Sequence, residues 1–340
     1  MNNYKLPVFD IDKIKLDSFI LVVGKRRFGK SVWSRWILSK LYPYFNDGGY
    51  VFTETKHNYW WQQHIPENRI YDGFQEDVVQ AILDEQKQKW NKWLEGDYEE
   101  KDLPFVVIIL DDVISDKNLR YYELLNRLVL EGRHYFIFLI VCSQDVKGLG
   151  PKIRQNADII ACTYQTQRRA IDSIYEDYAD IVGDKNYFIE LLRQNTIDHK
   201  MFIIEQSEAH YDVKDMFFVS KAKEKVKPFK IGGAKFWKES GNNWEQQLEK
   251  YNNIPKKDKE DWNKAIKLRE KDDKLEEEFD KMEGEEILKT NQPDLLPTEL
   301  KENYWEMRKK ELGLEESTIS KVTKKLKEGF GRYIPQNNNK

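Results

Sequence analysis

The sequence predicts an α/β protein in which helices cover both faces of a mostly parallel sheet. Apolar runs typical of buried strands alternate with segments of helical periodicity through residues 1–220. A glycine-rich loop joins an early apolar run to the first helix, an order typical of parallel α/β sheets. Hydrophobic residues make up 40% of the 340 positions and aromatic residues 13%, which is enough for a large core.

The glycine-rich loop, residues 24–31, matches the pattern G-x-x-x-x-G-K-S of P-loop NTPases. Glycines at its two fixed positions permit backbone angles and close approaches that a Cβ would block. The Lys30 ammonium can reach the β- and γ-phosphates of ATP, and the Ser31 hydroxyl can ligate Mg²⁺. The pattern therefore predicts a phosphate cradle made of backbone N–H groups and the N-terminus of the following helix. Its residues are Gly24, Lys25, Arg26, Arg27, Phe28, Gly29, Lys30, Ser31 and Val32.

The remaining elements are predicted from local patterns. Apolar and β-branched runs predict strands at residues 19–23, 50–55, 105–110, 135–142, 157–163, 200–206 and 216–220, with an edge strand at 5–9. Periodicity predicts helices after the loop and at 74–94, 116–132, 165–181 and 186–192, and residues 147–156 are predicted to be a connection. The aromatic cluster at 57–64 is either a packed loop or a rim that contacts DNA or a neighbouring subunit.

A pair of acidic residues ends the most apolar predicted strand. Asp111 and Asp112 follow the run FVVIIL about 80 residues beyond the loop, which is the Walker B arrangement. In this arrangement Asp111 holds Mg²⁺, directly or through water, and Asp112 polarises the attacking water as general base. The alternative is a solvated turn after a core strand.

A polar amide follows the next predicted strand. Gln144 comes just after the run YFIFLIVC, and open α/β sheets bind ligands at the carboxyl ends of their strands. Gln144 is therefore a candidate sensor of the γ-phosphate or of the attacking water. The alternative is a cap for the following segment.

Bulk composition gives few pointers to a partner. The net charge is −3, so a nucleic-acid surface would have to be a local patch. Cys142 and Cys162 both lie in apolar runs and are predicted to be reduced core thiols of an intracellular protein. No apolar run is long enough for a membrane span, so we expect no membrane partner.

Charge content divides the chain near residue 220. Charged residues occupy 53 of the 120 positions after residue 220 but only 62 of the first 220. We therefore predict a P-loop ATPase domain at 1–220, a charged and partly helical linker region at 221–297, and a helical C-terminal element at 298–340.

The motifs together resemble the FtsK–HerA superfamily of P-loop ATPases. The resemblance is to its poxvirus-type and giant-virus DNA-packaging branch, which also occurs in virophages. It covers roughly residues 15–220 and is carried by the segments GKRRFGKS, VVIILDD, EGRHYFIFLIVCSQD and IRQNADIIACTY. The sequence departs from much of the superfamily at Asp112, where Glu is common.

The resemblance implies a RecA-like sheet of the ASCE type, with an additional strand between the P-loop strand and the Walker B strand. It implies ATP hydrolysis with Mg²⁺ in a homo-oligomeric ring, with a hexamer as the first expectation, that pumps double-stranded DNA into a capsid, at its portal vertex. It also implies a catalytic arginine given to the neighbouring subunit, with Arg133 as first choice and Arg154 and Arg169 as second. The expected location is the host cytoplasm or viral factory, or the virion.

Two other functions fit the same residues. One is another motor of this superfamily, for plasmid transfer or chromosome processing. The other is an NTP-switched DNA-binding regulator, because residues 298–327 resemble a helix-turn-helix with Gly313 at the turn. Lys309 departs from the small alanine usual in such motifs, and a plain helical hairpin is the alternative.

Overall fold

One eight-stranded sheet organises the part of the chain that the structure describes. The computed structural model describes residues 5–56, 60–99, 102–113, 123–208, 213–223 and 226–252. Its strands are β1 (Phe19–Val23), β2 (Gly48–Thr53), β3 (Ile70–Asp72), β4 (Val106–Asp111), β5 (Ile137–Ser143), β6 (Ile159–Cys162), β7 (Lys200–Glu205) and β8 (Phe217–Lys221). Their order across the sheet is β3-β2-β4-β5-β1-β6-β7-β8.

The strand β5 lies between the loop strand β1 and the acidic strand β4. Leu21 of β1 and Leu110 of β4 both pair with Val141 of β5, and all three strands run parallel. The carboxyl ends of β1, β5 and β4 therefore meet at one edge of the sheet. This arrangement confirms the additional strand and the mostly parallel fold. Within the described sheet only β7 runs in the opposite direction, antiparallel to both β6 and β8.

Helices cover both faces of the sheet. They are α1 (Lys30–Leu41), α2 (Glu76–Leu94), α3 (Glu123–Glu131), α4 (Pro151–Gln155), α5 (Arg168–Tyr178), α6 (Lys185–Asn195), α7 (Ala234–Glu239) and α8 (Trp244–Asn252). Residues of α2, α3, α5 and α6 form one apolar layer with the sheet, and α1 belongs to the layer on the other face. Apolar side chains alternate between these layers along β1, since Leu21 joins the first and Val22 the second.

Residues 226–252 pack against the sheet domain although their composition is polar. Phe229, Ile231, Phe236 and Trp237 are all buried. His64 lies beneath Phe229 with the ring centroids 4.0 Å apart, and its burial lowers the pKa of the imidazole to about 3. The fully buried His64 supports the interpretation of the aromatic cluster as a packed loop.

Several predicted elements differ from those observed. Residues 5–9 form no strand, because only Val8 makes an isolated bridge, to Val219. The predicted connection at 147–156 contains the short helix α4, which begins with Pro151 at its first position. The early part of the helix predicted at 116–132 and the whole C-terminal element at 298–340 lie outside the described residues.

Both cysteines are buried free thiols, as predicted, and burial raises the pKa of Cys162 to about 12. Among the described helices, none combines the length and apolarity that a membrane crossing requires.

Candidate nucleotide and metal site

The glycine-rich loop connects β1 to α1 at the carboxyl edge of the sheet. The backbone N–H of Gly24 donates to the Ser143 carbonyl of β5 at 3.0 Å, which fixes the start of the loop. Gly29 is the N-cap residue of α1 and has φ 89°, a left-handed conformation that glycine adopts without steric cost. The buried Lys30 ammonium donates to the Gly24 carbonyl at 2.8 Å. The loop is thus closed around its own lysine, with the first turn of α1 facing the same edge.

Gly24 is expected to tolerate no side chain. An added Cβ would lie 2.0 Å from Thr163 Oγ1 and 2.7 Å from Thr163 Cγ2. We expect Gly24→Ala to lower the free energy of unfolding by about 1–3 kcal/mol through overpacking, measured by denaturant unfolding. Thr163→Ala should partly rescue Gly24→Ala, since it removes both of these atoms. Gly73→Ala is the control for adding a methyl group without a steric clash, because no atom lies within 4 Å of its added Cβ. The φ of 71° at Gly73 adds local backbone strain to this variant. A fully additive double variant would contradict the clash.

Ser31 and Asp111 form the oxygen-rich part of the site. Ser31 Oγ lies 3.2 Å from Asp111 Oδ1 and 3.1 Å from Oδ2, although 80 positions separate the two residues. Hydroxyl and carboxylate oxygens are the ligands that Mg²⁺ prefers, and Mg²⁺ commonly combines one or two carboxylates with substrate phosphates. The donor set therefore fits Mg²⁺ bound together with a nucleotide.

Asp112 approaches the loop lysine from the end of β4. Its Oδ1 atom lies 3.4 Å from Lys30 Nζ. The residue has φ 58°, a left-handed conformation that aspartate tolerates better than most residues. Its backbone N–H donates to the Cys142 carbonyl at 3.2 Å. The turn after β4 thus directs the second carboxylate towards the loop while Asp111 faces Ser31.

Trp61 is a site residue that the motifs did not reveal. Its indole Nε1 donates to Asp111 Oδ2 at 3.1 Å, and the side chain is only 2% exposed. Burial raises the pKa of the Asp111 carboxyl, while the hydrogen bond from Trp61 favours the ionised form and opposes that effect. The sequence signalled only an aromatic cluster, and nothing in it pairs residue 61 with residue 111.

The other candidate residues lie at different places. Gln144 is exposed at the carboxyl edge, directly after Ser143 of β5. Arg133 is exposed just before β5, at the opposite edge of the sheet. Burial raises the pKa of the Asp158 carboxyl there, and the charge of Arg133 opposes this effect. Arg154 pairs with Asp177, Nε to Oδ2, at 3.2 Å. Arg169 is exposed in the first turn of α5, which follows the carboxyl end of β6. The structure thus brings together Lys30, Ser31, Asp111 and Asp112, and places Arg133 away from them.

The fold and the convergence of these four residues define a P-loop ATPase. Its additional strand, β5, lies between the loop strand β1 and the acidic strand β4. The family model described as Poxvirus A32 protein matches residues 7–227, so the chain belongs to the poxvirus A32 protein family. This membership confirms the resemblance to the poxvirus-type packaging ATPases.

Similar proteins occur in viruses. The chain is 26% identical over 246 residues to the uncharacterized protein L437 of Acanthamoeba polyphaga mimivirus, covering 69% of this chain and 82% of that protein. It is 25% identical over 213 residues to the uncharacterized protein 075L of Invertebrate iridescent virus 6, covering 60% and 80%.

Solved structures show a looser likeness. The genome packaging NTPase B204 from Sulfolobus turreted icosahedral virus 2, in complex with ATP-gammaS, has a TM-score of 0.41 and 15% identity, and the match covers 62% of this chain and 98% of that chain. EssC (ATPases 2 and 3) from Geobacillus thermodenitrificans has a TM-score of 0.46 and 16% identity, with coverage of 70% and 45%.

Proposed function

We propose that this protein is an ATP-driven translocase of double-stranded DNA that packages a viral genome into a capsid. The observation that carries the proposal is the contact between Ser31 and Asp111, with Lys30 and Asp112 beside it, in a member of the poxvirus A32 family. The contact supports ATP and Mg²⁺ as the ligands. Membership of the family supports a role in packaging a viral genome, and the capsid or its portal vertex is the partner that such a role would require.

The loop residues would bind and orient the triphosphate. Backbone N–H groups of residues 24–32 would donate to phosphate oxygens, and the N-terminus of α1 would add its positive dipole. Lys30 would exchange its bond to the Gly24 carbonyl for phosphate oxygens, since its ammonium is already beside the loop. Ser31 and Asp111 would hold Mg²⁺, which neutralises charge on the phosphates when it is bound.

Asp112 would accept the proton of the attacking water. Its carboxylate is paired with Lys30 in the structure. Movement of the lysine to the phosphates would leave the carboxylate of Asp112 to accept a hydrogen bond from the water instead. Gln144 is exposed at the same edge, and its side-chain amide would donate a hydrogen bond to the γ-phosphate or orient the attacking water.

A homo-oligomeric ring would complete the site with an arginine from the neighbouring subunit. Arg133 lies at the amino end of β5, and a strand of that length spans roughly 20 Å. It therefore cannot reach the loop of its own subunit but is exposed for a partner. Arg169 is the second candidate, whereas Arg154 would first have to leave Asp177. An arginine supplied in this way is worth roughly a thousand-fold or more in rate. Such a motor would act in the host cytoplasm or viral factory, or at the virion.

Stimulation of hydrolysis by DNA tests the proposal. We expect double-stranded DNA to raise the rate of phosphate release by the purified protein, because translocation couples hydrolysis to movement along the duplex. Basic side chains that bind DNA phosphates release the counterions condensed on the duplex. Raising the salt from about 50 to 200 mM should therefore weaken DNA binding by roughly a thousand-fold or more if the protein contacts about six phosphates. Duplexes of unrelated sequence should stimulate equally. Hydrolysis that ignores DNA at low salt would contradict the proposal.

A further inference from the structure

The indole of Trp61 fixes one oxygen of the buried Asp111 carboxylate. The donor–acceptor distance is 3.1 Å, and Asp111 itself is only 8% exposed. An indole N–H can donate but not accept, so this bond holds Oδ2 as an acceptor and sets the orientation of the carboxylate. Both carboxylate oxygens lie near Ser31 Oγ, Oδ1 at 3.2 Å and Oδ2 at 3.1 Å, but only Oδ2 accepts a bond from the indole. Oδ1 therefore has more lone-pair capacity left to face a cation or its water.

The turn that carries Trp61 is held closed from two sides. Within the turn, the backbone N–H groups of His64 and Ile65 donate to the Trp61 carbonyl at 2.9 and 3.0 Å. From α8, Gln247 Nε2 donates to the Gln62 carbonyl and to the Ile65 carbonyl, the latter at 2.9 Å.

Further bonds from α8 extend this clamp. The Glu67 backbone N–H donates to Gln247 Oε1 at 3.1 Å, so both ends of the Gln247 amide are used. The Trp244 indole donates to the Gln63 carbonyl at 3.0 Å. The buried side chain of Gln247 thus bonds to three backbone groups of the segment that carries Trp61, two carbonyls and one N–H.

We propose that Trp61 is a positioning residue for the divalent-cation site and that Gln247 of α8 holds it in place. The inference rests on the proposed nucleotide site, because it assigns Asp111 to a cation. Hydrogen-bond partners of metal ligands fix the orientation of those ligands, and their loss typically lowers metal affinity by roughly 10- to 100-fold.

Direct cation binding tests the role of Trp61. We would measure Mn²⁺ affinity of the full-length protein by electron paramagnetic resonance, with a non-hydrolysable ATP analogue present. Trp61→Phe keeps an aromatic ring but removes the N–H, and it should weaken Mn²⁺ binding by roughly 10- to 100-fold. Affinity for the analogue in EDTA should stay at the wild-type value, since Trp61 bonds to Asp111 and not to the loop.

Trp60→Phe is the matched control. The Trp60 indole Nε1 is buried without a hydrogen-bond partner among the described residues, and its ring lies over the Arg35 guanidinium at 4.0 Å. Phenylalanine retains that ring face, so Mn²⁺ affinity should not change. Equal losses in Trp60→Phe and Trp61→Phe would indicate a packing effect and overturn the inference, as would wild-type affinity in Trp61→Phe.

Gln247→Ala tests the clamp separately and serves if Trp61→Phe does not fold. It should reduce Mn²⁺ affinity in the same direction and by less than Trp61→Phe, while Gln246→Ala, at the exposed neighbouring position, should not. Wild-type affinity in a folded Gln247→Ala variant would overturn the role of α8. If the wild-type protein binds Mn²⁺ and the analogue but neither Trp61→Phe nor Gln247→Ala differs from it, this inference alone fails. If the wild-type protein binds neither ligand, the proposed function fails with it.

Discussion

Lys30→Ala is expected to reduce ATP hydrolysis by about a hundred- to a thousand-fold, the typical cost of losing one preorganised donor that stabilises the charge developing in a transition state. The ammonium of Lys30 is almost fully buried and lies between the Gly24 carbonyl and Asp112. The other lysine of the loop, Lys25, contributes its backbone carbonyl to the same cluster, 3.4 Å from Lys30 Nζ. Phosphate release under saturating ATP measures the loss.

The fold should survive this substitution. Alanine is a strong helix former at the first position of α1, so the helix should be retained. Lys40→Ala is the matched control, because it removes an exposed lysine from the last turn of the same helix. We expect wild-type hydrolysis from Lys40→Ala and near-native thermal unfolding from both variants. Activity that persists in Lys30→Ala would mean that the loop does not hold the triphosphate.

Asp112→Asn is expected to lower the hydrolysis rate by about a hundred- to ten-thousand-fold, the usual contribution of a positioned general base. Asparagine has the same shape but cannot accept the proton of the attacking water. It also tolerates the left-handed backbone at this position, where φ is 58°. The amide leaves Asp111 and Ser31 untouched, so binding of ATP with Mg²⁺ should persist. Stopped-flow binding and single-turnover hydrolysis would separate the two steps.

A matched control exists at Asp198. This aspartate also has a left-handed backbone, with φ 59°, and is exposed before β7. Asp198→Asn makes the same chemical change in the same conformation at a position outside the site, and we expect wild-type hydrolysis from it. If Asp112→Asn hydrolyses ATP at the wild-type rate, another group is the base.

The residues that converge at the candidate nucleotide site could be predicted because the motifs that carry them are local patterns. The spacing of the glycines, Lys30 and Ser31 requires one loop geometry, and a strand ending in two acids specifies Asp111 and Asp112. The placement of these two segments relative to each other does not depend on local sequence. The family resemblance implies one strand between the strands that carry them, and β5 occupies that position.

The role of Trp61 could not be predicted, since its partner lies 50 positions away and an indole donor has no sequence pattern. No pattern predicts the short strand β3, because three residues, Ile70–Asp72, are too few to show a period of two. The higher share of charged residues after residue 220 predicts a charged linker there. Four apolar side chains of that region, Phe229, Ile231, Phe236 and Trp237, are nevertheless buried.

The packing of residues 226–252 limits where the chain can be shortened. Phe229 and Ile231 belong to the same apolar layer as Trp61, and α8 holds the turn that follows that residue. A protein trimmed to residue 220 would retain every residue of the glycine-rich loop and of the acidic pair. It would lose Phe229, which covers the buried His64, and the bonds from α8 that support Trp61. We therefore expect that a fragment must extend through Gln247, well past the last motif, to keep the proposed cation site intact.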